Sequence, residues 1–181
     1  ALPTLEYLVN AGVSLVLCTH LGRPKGGPED RYSLKHLLPS LENLLSRKVR
    51  FVNDCISDEA FEASADLQAG SVLLLENVRF YPEEEAGDVE FAQKLARHGN
   101  CYVNDAFGTA HREHASTATV ARFFGDQVAA GYLMKAELDQ AARVLENPRR
   151  PFTAIMGGAK VSDKLLLIEN LLPKVDRLLV V

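Results

Sequence analysis

The sequence predicts an α/β fold, a parallel sheet with helices on both faces, and three observations carry that prediction. Short apolar runs alternate with stretches whose leucines recur at three- and four-residue spacing. One run, residues 71–75 (SVLLL), is apolar without alternation, as in strands covered on both faces. Several runs end in polar or glycine-containing loops that carry cations, which is where open parallel sheets bind ligands.

In chain order, residues 1–11 read as an amphipathic helix with Leu2, Leu5 and Leu8 or Val9 on one face and Gly12 as its stop. Residues 13–18 (VSLVLC) form a strand, followed by the basic loop 19–27 (THLGRPKGG). Residues 33–46 form a helix with Leu37, Leu38, Leu41 and Leu45 on its apolar face, restarted or kinked at Pro39. The strand 49–52 closes on Asn53 and Asp54, and Ser57 caps a short helix that runs through Leu67. After SVLLL come Glu76, Asn77, Val78 and Arg79; Asp88 then caps a helix that stops at Gly99. Residues 101–103 read as a buried strand, ended by the turn-forming Asn104 and Asp105, with Gly108 allowing a sharp bend.

A second region opens with the long helix 133–146, whose Met134, Leu138, Ala141 and Leu145 share a face. Asn147 and Pro148 end it, and Arg149, Arg150 and Pro151 make a compact, hinge-like link. Residues 152–156 (FTAIM) form a strand, GGAKVSDK follows, Ser162 or Asp163 opens a helix through Leu172, and 178–181 is a final apolar strand. A helix at the start and a bare strand at the finish lead us to expect further residues on both sides.

Composition narrows the function. A chain of 181 residues, 47% apolar, can bury a core and form one domain or one and part of another. A net charge of −4 lacks the basic surplus of a nucleic-acid binder, so any anion site must be local. Three widely spaced cysteines, Cys18, Cys55 and Cys101, indicate neither a disulfide framework nor a zinc module and read as small buried hydrophobes in a reducing compartment. With no signal peptide and no membrane-spanning run, a soluble cytoplasmic protein without membrane attachment is expected.

The chemistry lies where strands end. His20 and Arg23, then Arg79, then Arg112 each follow a different strand, so a parallel sheet brings them to one edge. Singly each has a plain structural role open to it: His20 a satisfied strand-end histidine, Arg23 and Lys25 solvated, Arg79 paired with Glu83 or Glu84, residues 111–114 a solvated turn. Their convergence favours a site, and arginine's planar fork suits the oxygens of a small, multiply charged anion. His111 and His114 lack the spacing and general-base glutamate of an H-E-x-x-H helix, so no metal ligand is assigned. In the second region Gly157 and Gly158 permit close backbone approach, and Lys160 stands before a helix start that suits phosphate. The segment is not a Walker A loop, since GxxxxGK[ST] is absent.

THLGRPKGG, LLLENVRFYPEEE, YVNDAFGTAHREHAST, AAGYLMKAELD and PFTAIMGGAKVSDKLLLIENLL, in this order, resemble the phosphoglycerate kinase family over essentially the whole chain. The resemblance implies a Rossmann-like substrate domain over 1–131, an interdomain helix and hinge over 132–150, and the first strand-helix-strand of a nucleotide-binding α/β domain over 151–181. It implies that His20, Leu21, Gly22, Arg23, Arg79 and Arg112 bind 3-phosphoglycerate or 1,3-bisphosphoglycerate. It also implies that Gly157, Gly158, Ala159, Lys160 and Lys164 line the phosphates of ADP or ATP, with Lys160 and Arg112 catalytic.

The implied reaction is reversible phosphoryl transfer between 1,3-bisphosphoglycerate with MgADP and 3-phosphoglycerate with ATP, in a cytoplasmic, glycolytic monomer that closes about a hinge. The family's first strand and most of its nucleotide domain, with the magnesium ligand, have no counterpart in these residues, so this chain alone is expected to be inactive. Thr19 stands where serine is usual, and Glu113 stands beside Arg112 where a small residue is usual. The alternative is a truncated, non-catalytic module that binds small phosphorylated metabolites.

Overall fold

The computed structural model describes residues 1–25, 27–146, 148–157 and 165–181. These fall into two compact units, Ala1–Lys135 and Ala136–Val181.

The first unit is built on a three-stranded parallel sheet in which β3 (Val72–Leu75) lies between β1 (Leu15–Leu17) and β2 (Val49–Val52). Val72 is in register with Leu15 on one side and Val49 on the other. With neighbours on both sides, all four residues of β3 are buried, as its unbroken apolar run predicts. Successive side chains point to opposite faces. Leu73 and Leu75 join Val52, Cys55, Phe91 and Leu95 in one cluster, and Val72 and Leu74 join Val9, Leu34, Leu45 and Val49 in another. The first cluster is covered by α3 (Asp58–Ala65) and α5 (Val89–Ala96), the second by α1 (Leu2–Asn10) and α2 (Leu38–Leu45). Helices therefore cover both faces. Each large aliphatic side chain sealed this way contributes about 1.5–3 kcal/mol.

The caps fall where the polar residues stand. Ser57 Oγ accepts from the Ala60 amide at 3.2 Å, and Asp88 Oδ1 accepts from the Phe91 amide at 2.7 Å. The helix expected over 33–46 is divided: a 3₁₀ turn, Leu34–Leu37, precedes α2, and Pro39 occupies the first turn of α2, where its missing amide costs nothing. The tighter turn rotates the apolar face, so Leu34 is buried and Leu37 is exposed.

Two expectations need correction. Residues 101–103 are not a buried strand: β4 (Tyr102–Asn104) is only half buried, because it pairs with β5 (Val128–Ala130) alone. Its other side faces a cavity of about 1030 Å³, whose wall also includes β1, and this explains why Leu15, Val16 and Leu17 are half exposed. Of the cysteines only Cys55 is buried, while Cys18 and Cys101 line that cavity. Elements that the sequence did not announce include α4 (Pro82–Ala86), β5, and a π turn, Ala115–Thr119, continued by a 3₁₀ turn, Val120–Phe123.

The helix α6 (Tyr132–Leu145) begins in this unit, held by a small polar network. Thr4 Oγ1 donates to Asp105 Oδ2 at 2.7 Å and accepts from the Tyr132 amide at 2.9 Å, while Asp105 Oδ1 accepts from the Met134 amide at 3.0 Å. Along the expected apolar face, Met134 is buried but Leu138 and Leu145 are exposed.

In the second unit β6 (Thr153–Met156) runs parallel to β7 (Arg177–Val180), with α7 (Leu165–Leu171) between them in sequence. Asp176 ties the strand entries together, accepting from the Phe152 amide at 2.6 Å and pairing with Arg150 at 2.9 Å. Those bonds hold its carboxyl below the usual aspartate range, the Phe152 amide most strongly.

Candidate functional site

Three strand ends of the first unit supply the site. His20 follows β1, Arg79 follows β3 in a 3₁₀ turn (Val78–Phe80), and Arg112 and His114 follow β4. His20 is half buried and its pKa lies below the ordinary imidazole value. Burial is the largest cause, and the charges of Arg79, His114 and Arg112 add to it against an opposing pull from Glu85. Groups that lie far apart in sequence thus act electrostatically on one imidazole, but not from one sheet edge as expected: His20 and Arg79 follow strands of the β1-β3-β2 sheet, and Arg112 follows β4 of the separate β4-β5 sheet.

The Arg79 side chain is only 8% accessible. Nη1 donates to the Gly22 carbonyl at 2.8 Å, and Nε lies 3.4 Å from Glu85 Oε1 but makes no hydrogen bond among the described residues. Its ion-pair partner is therefore Glu85, not Glu83 or Glu84. Nε is sealed from solvent with Glu85 as its charge partner, so an anion could reach this guanidinium only at its other nitrogens.

Arg112 lines an open cleft of about 530 Å³ with Glu85, Ala86, Gly87, Glu113, His114, Thr119 and Arg122. Glu113 thus shares a wall with Arg112, as does Arg122, a cation that the sequence reading did not single out. His114 Nδ1 stands 3.8 Å from Glu84 Oε1, an ion pair only when the ring is protonated. Among the described residues no group of three histidine, cysteine, aspartate or glutamate side chains is placed to hold a metal ion.

The loop after β1 is shaped from outside. Gly22 has φ +66°, and a Cβ there would collide with the Tyr32 ring, so both conformation and space demand glycine. Leu21 packs against the second core cluster and its carbonyl accepts from Asn77 Nδ2 at 2.8 Å. Arg23 is exposed and has no partner among the described residues; His20 lines the large cavity and Arg112 the smaller cleft, with His114 in the wall of both.

Gly157 follows β6, where a Cβ would approach Val181 Cγ2 to 3.1 Å. Gly158, Ala159, Lys160 and Lys164 lie outside the described residues.

The sequence reading missed the buried acids that hold these loops. Glu76 is 3% exposed: Oε1 accepts from the Leu34 and Asn77 amides, each at 2.7 Å, and Oε2 accepts from Ser33 Oγ at 2.6 Å. Glu84, equally buried, accepts from the Ser116 amide and hydroxyl. The available signal was a carboxylate and an amide directly after a fully apolar strand, where a polar group is retained only if it is bonded.

The phosphoglycerate kinase family profile matches residues 1–181. The chain is 52% identical over 180 residues to the chloroplastic phosphoglycerate kinase of Volvox carteri, covering 99% of this chain and 39% of that protein. It is 55% identical over 179 residues to the cytosolic phosphoglycerate kinase 3 of Arabidopsis thaliana, covering 99% and 44%. Among solved structures, phosphoglycerate kinase from Coxiella burnetii superimposes with a TM-score of 0.85 at 39% identity, covering 99% of this chain and 44% of that one. The enzyme from Pyrococcus horikoshii superimposes with a TM-score of 0.84 at 34% identity, covering 98% and 45%. The chain spans less than half the length of these relatives, yet the match runs through every strand end that carries a candidate site residue, and it belongs to the phosphoglycerate kinase family.

Proposed function

We propose that the complete protein to which these residues belong is a phosphoglycerate kinase, catalysing reversible phosphoryl transfer between 1,3-bisphosphoglycerate with ADP and 3-phosphoglycerate with ATP. The observation that carries this reading is the joint action of Arg79, Arg112 and His114 on His20. In this reading His20, Leu21, Gly22, Arg23, Arg79 and Arg112 bind the phosphoglycerate. Gly157, Gly158, Ala159, Lys160 and Lys164 face the nucleotide phosphates, and Lys160 follows the transferring group. The domain limits 1–131, 132–150 and 151–181, closure about the 132–150 segment, a monomeric state and a cytoplasmic setting belong to the same proposal. Phosphoryl transfer asks for positioning and charge stabilisation rather than a protein nucleophile, and fixed arginines supply both. Magnesium enters with the nucleotide, and no residue of this chain is assigned to it.

The test is a coupled assay of 3-phosphoglycerate-dependent ATP consumption on the complete protein and on the 181-residue chain, beside calorimetric titration of 3-phosphoglycerate into each. Turnover in the complete protein, and its absence from the chain alone, is the expected result. A complete protein that binds 3-phosphoglycerate without turnover would replace the kinase with a metabolite-binding module.

A further inference from the structure

Three consecutive residues at the end of β3 are bonded to the loop that carries His20. Asn77 Nδ2 donates to the Leu21 carbonyl at 2.8 Å, the Val78 amide to the Thr19 carbonyl at 3.2 Å, and Arg79 Nη1 to the Gly22 carbonyl at 2.8 Å. Asn77 reaches further: Nδ2 also donates to the Tyr32 carbonyl at 2.9 Å, and Oδ1 accepts from the Arg79 amide at 3.0 Å. The residue is fully enclosed, with 0% exposure. Both of its amide hydrogens are thus committed, one to each limb of a loop that leaves β1 and returns towards α2. Between Thr19 and Leu34 the only regular element among the described residues is a single 3₁₀ turn, Asp30–Tyr32, so the loop's place is set by these bonds rather than by its own structure.

We propose that Asn77 is a positioning residue for the phosphoglycerate site. By joining the Leu21 and Tyr32 carbonyls it fixes where His20 and Gly22 stand, and by accepting from the Arg79 amide it fixes the guanidinium in the same frame. Asn77 itself touches no substrate. The chemistry requires this side chain. Two carbonyl oxygens need two splayed N–H donors, and aspartate, its isostere, would set oxygen against both while leaving the Arg79 contact intact. The proposal rests on the kinase reading and goes beyond it, since none of the residues assigned to substrate above includes Asn77.

The experiment uses the complete enzyme, with Asn77→Asp and the smaller Asn77→Ser compared with wild type in steady-state kinetics and amide hydrogen exchange. The expected result for Asn77→Asp is a Michaelis constant for 3-phosphoglycerate raised at least tenfold and one for MgATP within twofold of wild type. Exchange should quicken across residues 19–34 and stay unchanged in β2 and β3. A merely structural role would lower the melting temperature and the active fraction with both Michaelis constants unaltered, and that outcome overturns the proposal. If Asn77→Asp does not fold, Asn77→Ser, whose hydroxyl can bond one carbonyl at a time, carries the same test with the same split. If wild type shows no 3-phosphoglycerate-dependent turnover, the kinase reading fails by itself. The loop claim is then decided by exchange alone, where unchanged protection of 19–34 in the variant overturns it.

Discussion

Glu84 and Ser116 meet through two hydrogen bonds, the Ser116 hydroxyl donating to Oε1 at 2.6 Å and its amide to Oε2 at 2.9 Å. This buried carboxylate pins the start of the π turn directly after His114, just as Glu76 pins residues 33 and 34. Removing it strands two donors in an enclosed place. Glu84→Ala should lower stability by about 2–4 kcal/mol, below the full sum for two unsatisfied donors because Ser116 is only part-buried. Urea unfolding monitored by circular dichroism checks this, and a midpoint within error of wild type would mean that water replaces the carboxylate freely.

Gly22 makes a second, independent test of the loop. Its φ of +66° and its contact with the Tyr32 ring both exclude a Cβ. Gly22→Ala should cost about 1–2 kcal/mol for the left-handed conformation alone, with further loss where Tyr32 must move. Since Tyr32 stacks under Arg31 at 4.6 Å and its carbonyl bonds Asn77, the disturbance should appear as faster exchange at residues 29–34. An alanine variant as stable as wild type would show that the loop adopts another course.

These loops mark the boundary of what the residues alone revealed. SVLLL foretold a strand covered on both faces because an unbroken apolar run of strand length would leave one apolar face in water if only the other were covered. His20, Arg79 and Arg112 could be aligned because each follows a strand of the same parallel pattern. β5 escaped notice because Val128, Ala129 and Ala130 are three exposed residues with no period to read. The 3₁₀ turn before α2 escaped because leucines at 34, 37, 38, 41 and 45 fit one continuous helix as well as a divided one. Glu84 was legible only as a charge, and Glu76 only as a polar group set directly after an apolar strand. Burial turned them into anchors, and burial depends on contacts made across tens of residues.

His98 gives the fold a pH dependence. Nε2 lies 2.8 Å from the Cys55 carbonyl and Nδ1 2.9 Å from Ser64 Oγ, so the neutral ring with hydrogen on Nε2 satisfies the carbonyl. Burial, as the largest cause, lowers its pKa despite the Cys55 carbonyl, and Arg97 lowers it further. With the folded value below the unfolded one, the unfolded chain binds more protons between the two. Stability is therefore fully present above about pH 6.5 and falls as pH drops through the folded pKa. Urea midpoints at pH 7.5 and pH 5 should differ more for wild type than for His98→Gln; equal pH slopes would remove His98 as the cause.

On the proposed reading, Arg112→Ala in the complete protein should weaken 3-phosphoglycerate binding by about 1.5–3 kcal/mol, the range for a hydrogen bond to a charged group. The cleft offers Arg122 as a second cation and Glu113 and Glu85 as opposing charges. Glu113→Ala should therefore tighten binding modestly, by under about 1 kcal/mol for an exposed charge. Calorimetric titration measures both. Unchanged affinity in Arg112→Ala would take that arginine out of the site.

Asp105 connects the loop after β4 to the start of α6. Its two oxygens accept from Thr4 Oγ1 and the Met134 amide, and a Cβ on Gly131 would collide with the carboxylate, so the chain is drawn tightly against it. Asp105→Asn keeps the shape but offers only one accepting oxygen, so either Thr4 or Met134 loses its acceptor. Because Thr4 also accepts from the Tyr132 amide, the loss should spread to the first turn of α6, with a stability cost of about 1–3 kcal/mol. Thr4→Val removes the hydroxyl from the other side. If these groups act as one network, the double variant should cost less than the sum of the single changes, measured by urea unfolding. Strict additivity would mean that α1 and the loop after β4 hold α6 separately.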